Sequence, residues 1–97
     1  MSEEEKIKTN EDLLLEEIDR AIKEIEEGSK TATNISRDYA VKIAEFINCN
    51  SEEKIQDANL WFKYYKGKSE ALKDAVGILR RKLSSYHERK NRNEKIQ

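Results

Sequence analysis

The sequence has no proline, and among its 97 residues there are three glycines, one cysteine and one histidine. Proline and glycine are the residues on which tight turns depend. Their scarcity argues against a turn-rich all-β fold and favours long helices. No run of about 18 apolar residues occurs, so no segment reads as a membrane span. The opening Met1-Ser2-Glu3-Glu4-Glu5 is acidic and lacks the apolar centre of a secretory signal. Cys49 has no second cysteine to pair with, and a reducing cytoplasm is the expected compartment.

Catalytic constellations are equally scarce. His87 is the only candidate acid–base histidine, and the residue three before it is Ser84 rather than the glutamate of a di-metal bundle motif. There is no cysteine pair, histidine pair or glycine-rich phosphate loop. Lys66-Gly67-Lys68 is too short to cradle a phosphate by itself. The sequence therefore predicts no catalytic residue, no metal ligand and no cofactor, and a non-enzymatic protein.

Charge is abundant: 40% of residues are charged and 36% hydrophobic. A chain of 11.4 kDa with that balance can bury an apolar stripe but not a thick core. The net charge of −1 conceals a strong polarity along the chain. Residues 1–29 hold eleven acids and four bases, a balance of −7. Residues 30–50 and 51–79 balance at +1 and 0, and residues 80–97 at +5. The abundance of Lys, Glu, Ile and Asn suits an AT-rich microbial or phage genome, and phage or mobile-element encoding is an expectation drawn from composition alone.

Apolar spacing supplies the fold. Ile55, Ala58, Phe62, Tyr65, Ser69, Leu72, Val76, Leu79, Leu83 and Tyr86 alternate three and four apart. This is a seven-residue repeat held through Gly67 and Gly77, where a helix break would have no reason to keep phase. It predicts one helix over 52–90. Leu15, Ile18, Ile22, Ile25, Ser29, Ala32, Ser36, Tyr39, Ile43 and Phe46 alternate in the same way. Their middle runs through Gly28-Ser29 and Thr31 to Ser36, which are poor helix formers. Phase predicts a helix over 10–48, with a kink allowed near Gly28–Ser36. Thr9 or Asn10 can cap it, with Glu11 and Asp12 in its first turn. The only turn-like run between the stripes is Asn48-Cys49-Asn50-Ser51.

The fold class expected is all-α: a long antiparallel, coiled-coil-like helical hairpin in one domain. An acidic tail (1–9) precedes helix A (10–48), and a turn (49–51) leads to helix B (52–90) and a basic tail (91–97). Folding back at 49–50 lays the acidic opening beside the basic end. It also places Ser29 and Ala32 near Ser69 and Gly67. Charge and size thus agree with a register derived from hydropathy alone.

Helix B carries a second apolar row: Trp61, Tyr64, Ala71, Ala75 and Ile78, interrupted by Lys68. Helix A adds Leu14, Ala21, Ala40, Ala44 and Ile47. One seam cannot bury both rows, so the second row is the expected partner or oligomer interface. A dimer forming a four-helix bundle is favoured. The function expected is that of a helical interaction protein, an adaptor, inhibitor or assembly factor that docks a protein partner through Trp61 and Tyr64. The alternative is a nucleic-acid accessory protein. Its candidate phosphate contacts are Arg37, Lys63, Lys66 and Lys68 in the middle, and Arg89, Lys90 and Arg92 at the end.

Overall fold

The computed structural model describes residues 9–96, with side chains through Asn93. It consists of helix α1, Asn10–Asn48, and helix α2, Glu52–Ile96, joined by a short turn. At 1.5 Å per residue, the 45 residues of α2 span about 68 Å. That accounts for the longest dimension of the hairpin, which measures 70 × 31 × 15 Å. A compact domain of this length has a radius of gyration of about 12–13 Å. The observed 21.6 Å is that of a rod.

Each boundary has a local cause. Thr9 is extended, and its Oγ1 accepts the Asp12 N–H at 3.0 Å. In return the Thr9 N–H donates to Asp12 Oδ2 at 3.3 Å. This reciprocal capping box satisfies donors that the first helical turn leaves unpaired. At the other end, Asn50 has φ 56°, the left-handed conformation that asparagine tolerates better than most side chains. The Ser51 N–H then reaches Phe46 O at 3.1 Å and the Asn50 N–H reaches Ile47 O at 3.1 Å. These two bonds make a Schellman turn, which ends α1 and reverses the chain. The Ser51 carbonyl accepts the Ile55 N–H at 3.0 Å and so opens α2.

Between these ends α1 is one unbroken helix through 28–36, despite its poor local propensity. Packing supplies what propensity lacks. Ser29, Ala32 and Ser36 are all buried, as is Ser69 on α2. Ser29 Oγ donates to the Ser69 carbonyl at 3.2 Å, and Thr33 Oγ1 lies 2.6 Å from Ser69 Oγ. The Ser36 hydroxyl donates to Thr33 O at 2.8 Å. The middle of the seam is therefore filled by small side chains, buried with their hydroxyls satisfied.

All twenty positions of the two seven-residue stripes are buried or half-buried. The best-covered apolar side chains are Ile22 and Ala32 on α1 and Ala58 and Val76 on α2. Among the described residues no large side chain is fully buried. One hairpin thus has a seam rather than a core.

Three expectations are corrected. Helix α2 does not end near residue 90 but continues to Ile96, so the basic tail is helical over most of its length. Lys, Arg, Glu and Asn at 88–95 give no apolar phase to read, although most of them favour a helix. Gly67 does not pack against Ala32: it is exposed, and no side chain lies within 4 Å of where its Cβ would stand. The glycine that faces the other helix is Gly28, where an added Cβ would meet Leu72 Cδ1 at an ordinary contact distance of 3.5 Å. The acidic tail expected over 1–9 lies, apart from Thr9, outside the described residues.

Candidate interaction faces

A two-helix rod has two broad flanks, one on each side of its seam. With Leu15 and Ile55 as first positions of their heptads, residues one before these fall on one flank and residues four after them on the other. Trp61, Lys68, Ala75 and Lys82 of α2 share the first flank with Leu14, Ala21 and Gly28 of α1. Tyr64, Ala71 and Ile78 lie just outside them on the same side.

The first flank is apolar and largely uncovered. Trp61 is 43% exposed, Tyr64 55%, Ile78 49% and Leu14 61%. The aromatic part is held in place from beneath. Tyr65, a seam residue, lies 6.3 Å from Trp61, contacts the Tyr64 ring edge-on at 4.9 Å and stacks on Tyr39 of α1 at 6.2 Å. Trp61 and Tyr64 also meet edge to face at 5.9 Å. Such contacts restrict the orientation of the exposed rings. Lys42 Nζ sits 5.0 Å over the Tyr39 ring. Toward the termini the flank opens into an apolar groove of about 310 Å³ lined by Leu14, Leu15, Ile18, Leu79, Leu83 and Tyr86. The five expected interface residues are thus brought together with Leu14, and this groove continues their row.

The rest of the α1 row divides differently. Ala40 and Ile47 fall on the second flank, with Ala44 beside them, because they follow the seam residues where Leu14 and Ala21 precede them. Ala40 accordingly lines a separate groove with Lys66, Glu70 and Lys73.

That second groove, about 300 Å³, brings Arg37 and Lys66 together and adds Lys73, which sequence reasoning missed. Its position one heptad after Lys66 was the available signal. The remaining phosphate candidates are dispersed. Lys68 and Arg89 belong to the first flank by register, with Arg92 at its edge. Lys63 lies beside the second groove without lining it. Lys90 Nζ is held 3.3 Å from Glu11 Oε1, and Arg80 pairs with Glu26 across the seam. The acidic opening does lie along the basic end, through partly exposed pairs of modest individual worth.

His87 is exposed and touches the Tyr86 ring edge-on at 5.5 Å. Cys49 is exposed at the turn, about 50 Å away along α2. Among the described residues no group of three or more His, Cys, Asp or Glu is placed to hold a metal ion. Nor is any of the described helices long and apolar enough to cross a membrane. Compared with known protein families, curated proteins and solved structures, the chain matches none of them.

Proposed function

We propose that the protein is a non-catalytic, cytoplasmic helical interaction protein that pairs with a second copy through its Trp61 flank. The resulting four-helix bundle would act as a rigid adaptor, inhibitor or assembly factor toward a protein partner. The observation that carries this reading is the exposed apolar row of Trp61, Tyr64 and Ile78, broken only by Lys68, and the apolar groove at Leu14 beyond it. Surface area supports it. A compact chain of 11.4 kDa exposes about 5,800 Å². This chain exposes 7841 Å². A flank two helices wide and about 50 Å long offers roughly 1,000 Å² per chain, within the range of stable dimers.

Sedimentation equilibrium at tens of micromolar tests the reading, with twice the 11.4 kDa chain mass expected. Ala71→Glu places a charge in the middle of the flank without touching the seam. It should give a monomer of undiminished helical circular dichroism. A native chain that sediments as a monomer refutes self-pairing.

A second reading rests on the groove that gathers Arg37, Lys66 and Lys73 on the opposite flank. There the protein would follow a nucleic-acid backbone through phosphate contacts. The stacking rings lie on the other flank, which favours backbone contact over base stacking. Oligonucleotide anisotropy separates the readings. Binding that weakens steeply with salt, and is lost in Lys66→Glu/Lys73→Glu, supports this one. No binding at low salt removes it.

A further inference from the structure

If the hairpins pair through the Trp61 flank, two symmetric arrangements are open. A two-fold axis along the rod lays α1 of one chain on α2 of the other, with both turns at the same end. A two-fold axis across the rod lays α1 on α1 and α2 on α2, with the turns at opposite ends. Both are self-complementary uses of one surface. This inference rests on the self-pairing proposed above and asks which arrangement the chain encodes.

We infer that the axis runs along the rod, so that each acidic α1 lies on its partner's basic α2 and both Cys49 turns share one end. Charge is the first argument. Residues 10–29 of α1 hold eight acids and two bases, a balance of −6. Residues 72–96 of α2 hold eight bases and three acids, a balance of +5. Of these, Glu17 and Glu24 of α1 and Lys82, Arg89 and Arg92 of α2 stand on the first flank by register, −2 against +3, and the axis along the rod sets them face to face, twice per dimer. With the axis across it, Glu17 and Glu24 face the flank of 30–48, where Asp38, Lys42 and Glu45 balance at −1, and Lys82, Arg89 and Arg92 face that of 52–71, where Lys54, Asp57 and Lys68 balance at +1. Only the first arrangement gives both strongly charged segments an opposite partner, and like-charge or uncompensated placement counts against the second.

Register is the second argument. The contacts Gly28–Leu72, Ser29–Ser69 and Glu11–Lys90 put residue i of α1 level with about residue 100 − i of α2. With the axis along the rod, the same relation holds between chains. Glu45 then comes level with the partner's Lys54, and Lys42 with the partner's Asp57. Glu17, which also holds Arg20 on its own helix, comes level with the partner's Lys82. Gly28 comes level with the partner's Ala71, small against small, which is the condition for close helix approach. None of these charges is used by the seam-crossing pairs Glu26–Arg80 and Glu11–Lys90.

Cys49 is the chain's only cysteine and is exposed, so the unmodified sequence accepts one spin label per turn. Pulsed dipolar spectroscopy on the labelled full chain then reads the arrangement directly. Turns at one end predict a Cys49–Cys49 separation below about 30 Å, the width of a four-helix bundle plus label arms. Turns at opposite ends predict about 55–60 Å, the length of α1. A long distance in a sample that sediments as a dimer overturns this inference and leaves self-pairing standing. A monomer with no dipolar signal overturns both.

Discussion

Replacing Gly67 with alanine tests the claim that α2 runs unbroken through its glycines. Glycine in a helix interior costs about 0.8–1.0 kcal/mol relative to alanine, mostly through backbone entropy. In most proteins that gain is confounded by the space the methyl group must occupy. Here no such conflict arises, because Gly67 is exposed and nothing lies within 4 Å of the new methyl position. Its heptad position is the outermost of α2, away from the seam and both flanks. Gly67→Ala is therefore expected to stabilise the hairpin by nearly the full propensity difference, about 0.8–1.0 kcal/mol. For a chain of this size that raises the melting temperature by roughly 4–8 °C. The measurement is thermal and urea unfolding followed at 222 nm, at one fixed protein concentration so that any association contributes equally. Gly77→Ala meets only Arg81 Nη1 at 3.5 Å, the mobile end of a long side chain, and should add a similar gain. The two sites are ten residues apart on one helix, about 15 Å, so their effects should sum. A Gly67→Ala chain no more stable than the native one would refute the reasoning, because it would mean that Gly67 serves as a break or turn.

Two further outcomes test the turn and the seam. Asn50→Gly should leave stability unchanged or slightly raised, whereas Asn50→Val should lower it by about 1–2 kcal/mol in the same urea titration, because φ 56° disfavours a β-branched side chain. Ser69→Leu should cost about 1–3 kcal/mol by overfilling the buried small-residue middle of the seam, with a visible loss of unfolding cooperativity.

Much of this architecture is legible in the residues alone, for an identifiable reason. An uninterrupted alternation of three and four survives only if the helix does. Hence α1 begins at Asn10 and ends at Asn48, and α2 begins at Glu52, as phase and capping residues indicate. Phase also outweighs propensity at 28–36, because Ser29 and Ser36 are polar residues used as small ones, their hydroxyls turned onto the neighbouring backbone. Where phase falls silent, the reading fails. From Glu88 to Lys95 there are only charged and amide side chains, and they carry no apolar face. The fold-back relation is approximately right but too coarse to tell that Gly28, not Gly67, faces the other helix. Counting the second apolar row from hydropathy takes no account of side. Leu14 lies with Trp61, while Ala40 lies with Lys66 on the opposite flank.

A seam without a central core has a further consequence. Each level of the rod is held by the residues of that level and its immediate neighbours, so no long-range keystone ties one end to the other. Such a molecule is a ruler. Seven residues inserted in α1, together with seven at the matching height of α2, would lengthen it by about 10.5 Å and return every side chain to its own side. Evolution can therefore tune the reach of this protein in discrete steps while leaving its cross-section, and whatever recognises that cross-section, untouched.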